Sequence, residues 1–179
     1  MLYFKSNQAL LTMQTINQLN QCHTKSLLNW CKSQKLVAET LRKVPTCRLK
    51  KWWGYEAEFY IDRSYVTPMQ PIESDPYLQE IAQQFAPESN SILLYRYEVG
   101  GEIGKHLDKK CFEPEVTMIN LIDDKPDMYG GFGTTRFIWD GEKFFLENGG
   151  VYRFNSRVWH SVPTLKVARY SLQFRRVIT

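Results

Sequence analysis

The chain contains only three histidines, His23, His106 and His160. His106 and Asp108 are separated by one residue, so on an extended segment both side chains point to the same face. Two imidazoles and one carboxylate on one face of an octahedral ion leave its other positions open, which suits non-haem Fe(II) working with dioxygen. His160 supplies the second imidazole, and Arg169 follows it by nine positions, with Ser171 two further on. Arg169 and Ser171 share one face of an alternating strand. A guanidinium beside a hydroxyl clamps a carboxylate, because the planar fork offers two parallel charge-assisted hydrogen bonds.

A His-x-Asp pair alone carries little weight, since short motifs recur by chance. Its surroundings give it meaning. Upstream runs an apolar strand, Ile92 to Tyr97, followed by the Gly100-Gly101 break. Downstream, Tyr170, Leu172 and Phe174 alternate with Arg169, Ser171, Gln173 and Arg175. Four polar residues on one strand face either meet solvent or line a cavity, and the metal-ligand set favours the cavity. The duller readings are a core histidine at 160 and a surface arginine at 169. Trp52, Trp53, Tyr55 and Tyr95 read first as packing aromatics.

The ordered set His106-x-Asp108, His160, Arg169-x-Ser171 resembles the Fe(II)- and 2-oxoglutarate-dependent dioxygenase superfamily over roughly residues 92–176. The resemblance implies that His106, Asp108 and His160 bind iron. It implies that Arg169 and Ser171 hold the distal carboxylate of 2-oxoglutarate, with Tyr97 and Arg175 beside the cosubstrate. It further implies that O2 is consumed, a substrate C–H bond is hydroxylated, and succinate and CO2 are released. A carboxylate at 108, where halogenating relatives carry a small residue, implies hydroxylation.

Two branches of the superfamily compete. The AlkB-like nucleic-acid demethylases share the order of elements: Trp53-Gly54-Tyr55, a strand, a proline loop, a helix, then Leu93-Leu94-x-Arg96-Tyr97 and the metal motif. Arg169 to Arg175 also resembles their closing strand. This chain departs from that group at Tyr95, where an asparagine is usual, and at Lys110, where an acid is common. Tyr95, Lys110, Trp53 and Tyr55 are therefore the candidate substrate residues. The prolyl-hydroxylase-like group shares Tyr97-x-x-Gly100-Gly101, Gly130-Gly131 and His160-Ser161-Val162. It implies hydroxylation of a peptidyl or free amino acid. Participation of the amino-terminal half tips the reading toward oxidative demethylation of a methylated nucleobase. An inert jelly-roll binding module is the reading outside the enzymes, and a convergent ligand set argues against it.

The remaining chain must position these residues. With 179 residues, 43% hydrophobic and 14% aromatic, it has the size and composition of one folded domain. The expected division is residues 1–90 as a helical, substrate-side part and 91–179 as the core carrying the metal site. No apolar run reaches the roughly 18 residues of a membrane span, and no signal-peptide pattern opens the chain. Cys22, Cys31, Cys47 and Cys111 form no C-x-x-C pair. Free thiols in a reducing, cytoplasmic compartment are the expectation. Net charge is +4. Lys35, Arg42, Lys43, Arg48, Lys50 and Lys51 cluster against Glu39 alone, read either as a solvated face or as a nucleic-acid contact.

Apolar spacing predicts a helix over Gln8 to Gln21. A second is predicted from a Thr24 or Ser26 cap through Leu41, and a third over Tyr77 to Phe85. Ala57 to Ile61 reads as a strand, and the prolines at 68, 71 and 76 as a loop, with residues 63–75 a possible lid. Further strands are expected at Glu115 to Ile122, Val151 to Phe154, Val158 to Val162 and Arg169 to Ile178. Asp140-Gly141 marks a hairpin between Thr135 to Trp139 and Glu142 to Leu146, and Asp123 to Asp127 a polar loop. The fold class expected is α+β: a jelly-roll or cupin-like double-stranded β-helix with amino-terminal helices packed on it.

Overall fold

The computed structural model describes residues 12–41, 44–59, 64–123 and 135–178. The chain is mostly antiparallel sheet with few helices. In order it forms β1 (Gln14–Gln18), α1 (Gln21–Ser33), β2 (Val37–Leu41), β3 (Val44–Trp53), β4 (Tyr55–Phe59) and β5 (Ser64–Pro68). A short 3-10 turn (Ile72–Ser74) and α2 (Pro76–Phe85) complete the first half. Then come β6 (Ser91–Tyr97), β7 (Ile103–His106), β8 (Glu115–Ile122), β9 (Thr135–Trp139), β10 (Glu142–Leu146), β11 (Gly150–Asn155), β12 (His160–Val162) and β13 (Arg169–Arg175).

Among the described residues the strands form a seven-stranded sheet ordered β1-β11-β8-β13-β6-β3-β2 and a four-stranded sheet ordered β10-β9-β12-β7, with β4-β5 a separate hairpin. One hydrophobic core lies between the two sheets, drawing Leu93 and Met118 from the larger and Phe137 and Val162 from the smaller. A second core fills the other face of the large sheet, where Ile92, Leu94, Ile119 and Leu172 meet Leu27 and Cys31 of α1 and Leu78 and Phe85 of α2. The central strand β13 is buried along its whole length, because both of its faces are covered.

The amino-terminal half is where expectation and structure part. The residues predicted to continue a helix to Gln21 instead form β1, an edge strand held by backbone pairing to β11; Gln8 to Leu11 lie outside the described residues. Helix α1 begins at Gln21, because the Asn20 side chain accepts from the His23 amide at 2.9 Å. Thr24 is not a cap; its hydroxyl bonds back to the Asn20 carbonyl. The helix stops at Ser33, and the segment expected to continue it is β2, paired with the unforeseen ten-residue β3. Both strands are rich in Lys, Arg, Glu or Thr, which masks the apolar alternation that local reading relies on. The expected amino-terminal helical layer is thus reduced to α1 and α2, with five strands between or before them.

The proline-rich stretch read as a loop contains β5, while its Arg63 and the Ile61 of the expected strand lie outside the described residues. Gly54 turns β3 into β4 at φ +73°, and a Cβ there would meet the Asn90 carbonyl oxygen at 1.9 Å. The third helix, the strand at β8 and the hairpin appear as expected. Asp75 caps α2 by accepting from the Leu78 amide and the Trp30 indole, and Pro76 sits at its first turn. Asp140 and Gly141 both take positive φ, as a two-residue type I′ hairpin requires. The loop from Asp124 to Asp127 and the Gly130-Gly131 pair lie outside the described residues. No helix among the described residues is long and apolar enough to cross a membrane.

The cysteines supply a check on this packing. Cys31 is fully buried in the second core, and burial, with Asp123 adding to it, pushes its thiol far above the ordinary range, whereas Cys22 and Cys47 are exposed. A thiol reagent at neutral pH is expected to label Cys22 and Cys47 in the native protein and Cys31 only on unfolding. Mass spectrometry of labelled peptides reads this directly; equal labelling of Cys31 and Cys22 would contradict the placement of α1.

Candidate metal and carboxylate site

His106 closes β7 and His160 opens β12, and the two are directly paired across the ladder, with ring centroids 4.3 Å apart. Asp108 lies two residues beyond the end of that pairing. Its amide donates to the Ser156 carbonyl, and its own carbonyl accepts from Arg157, which also holds the Phe112 carbonyl. Each imidazole Nε2 stands 3.7 Å from Asp108 Oδ1, and one ligand atom from each of the three residues lies within 4.8 Å of the others. The tautomers follow from the second nitrogens. Nδ1 of His106 is 2.9 Å from the Gly104 carbonyl and Nδ1 of His160 is 2.8 Å from the Val158 carbonyl. A carbonyl can only accept, so both Nδ1 atoms carry the proton and both Nε2 lone pairs face Asp108.

Charge is arranged to match. Burial pushes the Asp108 carboxyl up, but Arg175, His160 and His106 together outweigh it and hold the group below the usual carboxylate range. Arg175 Nη1 pairs with the other carboxylate oxygen, Oδ2. Burial among Phe137 and Phe154 pulls His160 down, favouring the neutral ring a metal needs. Within the described residues these three supply two nitrogens and one oxygen that could hold a single metal ion.

Beside it, in the same cavity, lies Arg169, 1% exposed. Its Nη1 donates to Asn120 Oδ1 at 2.9 Å and Thr135 Oγ1 at 3.3 Å, its guanidinium lies 4.8 Å over the Tyr97 ring, and its Nε has no partner. All these contacts are neutral; no acid among the described residues pairs with it. A buried cation without an anion is costly, and a carboxylate in the cavity could offset that cost. A carboxylate fits that fork.

The other candidate residues are placed as follows. Tyr97 is fully buried against Arg169, and Tyr95 lines the cavity while donating to Glu39 Oε1 at 2.7 Å. Ser171 is buried but does not line the cavity. It accepts from Gln173 Nε2, whose Oε1 accepts from Arg175 Nη2, forming a chain from Ser171 to Asp108. Arg175 therefore braces the Asp108 carboxylate. Trp53 points to the opposite face of the sheet, fully buried and stacked on Trp30 at 5.7 Å, so it is not available to a substrate. Alternation along β3 hands that place to Trp52, which lines the cavity. Tyr55 packs on the first core without lining the cavity, and Lys110 is exposed in a turn while Lys109 lines it.

Several contributors carry no local signal in the chain. Asn120 and Thr135 support Arg169 from β8 and β9, and Glu39 with Arg48 forms a buried ion pair behind Tyr95. That ion pair also dissolves the basic cluster seen in the sequence. Arg48 pairs with Glu39, Lys50 with Glu56, and Lys51 bonds Gln34 and covers the Trp53 ring, on alternating faces of β3. Arg42 and Lys43 lie outside the described residues.

No family model and no curated protein sequence matches this chain. Its fold, however, is the fold of 2-oxoglutarate- and Fe(II)-dependent oxygenases. An oxidoreductase of the 2OG-Fe(II) oxygenase family from Burkholderia pseudomallei superposes with a TM-score of 0.53 at 15% identity, over 86% of this chain and 78% of that one. The structure of OsALKBH1 matches with a TM-score of 0.59 at 16% identity, over 92% of this chain and 97% of that one. A prolyl-4-hydroxylase from Pseudomonas putida matches at 0.58 and 18%, over 93% and 92%.

Proposed function

We propose that this chain is an Fe(II)- and 2-oxoglutarate-dependent oxygenase that hydroxylates a substrate C–H bond, with a methylated nucleobase as substrate. The observation that carries it is the pairing, in one cavity, of the His106, Asp108 and His160 donor atoms with a fully buried Arg169 that lacks an acidic partner among the described residues. The core fits as well: from β6 to β13 the large sheet takes the sixth, eighth, eleventh and thirteenth strands and the small sheet the other four, an order consistent with a jelly roll. Bound together, iron, 2-oxoglutarate and O2 would supply the oxidising chemistry, with succinate and CO2 as co-products.

The residues take the following parts. His106, Asp108 and His160 would hold iron at the cavity wall. Arg169 neutralises the far carboxylate of the cosubstrate, with Tyr97 packed beneath its guanidinium. Leu93, Met118, Phe137 and Val162 wall the cavity with apolar surface and keep water from the reacting atoms. On the side contributed by residues 1–90, Trp52 stacks on Phe112 with planes 4° apart, offering a flat wall to a planar substrate. Residues 91–179 then carry the metal and cosubstrate groups.

The test is anaerobic addition of Fe(II) and 2-oxoglutarate to the purified chain, followed by visible spectroscopy of the iron–cosubstrate charge-transfer band. The band is expected in the native protein. Arg169→Gln is expected to weaken 2-oxoglutarate binding by about 10- to 100-fold, the worth of a charged hydrogen-bond pair, with metal affinity unchanged. Absence of both band and iron binding would sink the proposal. Succinate formation with methylated oligonucleotides against prolyl peptides then separates the nucleobase reading from amino-acid hydroxylation.

A further inference from the structure

The outer face of the four-stranded sheet carries residues that the metal site does not use. In β9 and β10, Phe137, Trp139, Phe144 and Leu146 point into the first core, which turns Arg136, Ile138, Lys143 and Phe145 outward. β12 adds Ser161 and β7 adds Lys105 to the same face. Lys105, Arg136 and Lys143 are exposed, as are Phe145 at 59% and Trp159 at 49%. Among the described residues none of the three cations forms an ion pair, and no acid occupies an outward position of these strands; Asp140, Glu142 and Glu147 sit at the ends of the hairpin, and the exposed Glu102, just before β7, accepts from the Thr164 hydroxyl. Lys105 Nζ already lies 5.3 Å from the Trp159 ring centroid.

The spacing is informative. Phe145 is paired with Arg136, Lys143 with Ile138, and Ile138 with Ser161. Trp159 closes the row at the hairpin turn, where its carbonyl accepts from the Asp140 amide. Four strands at about 4.8 Å make a face about 14 Å across, room for a few nucleotides. One end of the face borders the metal site: Trp159 precedes His160, and the 41%-exposed Leu107 lies between His106 and Asp108.

We propose that this face is a platform for single-stranded nucleic acid, with bases stacked on Phe145 and Trp159 and phosphates held by Lys105, Arg136 and Lys143. Exposed aromatics interleaved with unpaired cations match the two needs of a single strand, which duplex DNA with its buried base faces does not share. An acidic peptide would satisfy the cations but leave both rings without a stacking partner. The idea rests on the oxygenase reading only for its link to the metal site. The binding itself requires neither iron nor 2-oxoglutarate.

Fluorescence anisotropy of the full chain, in chelator, with a labelled single-stranded oligonucleotide of about 12 nucleotides tests it. Phe145→Ala and Trp159→Ala are each expected to weaken binding at least about 5-fold. Arg136→Glu with Lys143→Glu is expected to weaken it further and to lower the slope of log K against log salt by about 1.4, at about 0.7 per lost phosphate contact. Lys35→Glu, on another surface, is expected to bind as the parent does. All the replaced face residues are exposed, and an unchanged melting temperature confirms intact folding. The platform is overturned by no binding at low salt, or by binding that ignores these variants. It is also overturned if an acidic peptide binds equally well and with the same sensitivity, or if sedimentation shows the face buried between two copies. A charge-transfer band without oligonucleotide binding would remove the platform and leave the oxygenase; oligonucleotide binding without iron would do the reverse.

Discussion

Replacing His106 with alanine is expected to remove iron binding and turnover while leaving the fold nearly intact. Loss of even an outer contact to a metal ligand costs about 10- to 100-fold in affinity or activity, so loss of a ligand should exceed about 100-fold. His106 is the right member of the set to change. Its side chain is 33% exposed, against 9% for Asp108 and 5% for His160, and its Nδ1 satisfies only the Gly104 carbonyl at the sheet edge. Asp108→Ala would strand the buried Arg175 charge, and His160→Ala would open a hole between Phe137 and Phe154. Either would mix unfolding with metal loss. Calorimetry with Mn(II), succinate formation and a thermal melt of His106→Ala are the measurements. Metal affinity within a few-fold of the parent would mean that the three side chains do not form a metal site.

The second large effect is expected at Arg175. Arg175→Met should destabilise the metal-free protein by on the order of 3–5 kcal/mol, the usual cost of removing one partner from a buried ion pair. Asp108 and Arg175 are both less than a tenth exposed, and Gln173 anchors the guanidinium from the other side. Denaturant unfolding in chelator reads the cost of the bare carboxylate. Adding iron should return part of the stability, because the metal then neutralises Asp108. Pairing Arg175→Met with Asp108→Asn should likewise recover part of the loss, since the uncompensated charge is gone. A loss below about 1 kcal/mol in the single variant would show that the pair is solvated rather than buried. Metal affinity should fall about 10- to 100-fold as well, because Arg175 orients the carboxylate from outside the ligand set.

Much of this site was legible from local spacing. The alternating Arg169 to Arg175 and the apolar Ile92 to Tyr97 are signals of a single strand, and His106 and Asp108 are two apart in sequence, although Asp108 lies beyond the end of β7. Asp140-Gly141 is equally local, since a positive φ selects its residue types directly. β2, β3 and β5 were not legible, because their stability comes from pairing with neighbours rather than from their own apolar pattern.

What the chain determined by itself is therefore the inventory of chemistry: which residues could bind a metal and which could hold a carboxylate. Tertiary structure alone decided which of them meet. It chose Trp52 over Trp53 by one step of strand register, and it gave Arg175 to Asp108 instead of leaving it a general cation near the cosubstrate. It also split Arg48 and Lys50 from Lys51 across the two faces of β3, while gathering Lys105, Arg136, Lys143, Phe145 and Trp159 from distant positions onto one face. The physical reason is the same in each case. Strand pairing is non-local, so the neighbours that set charge, burial and access are chosen by register across the sheet and not by distance along the chain.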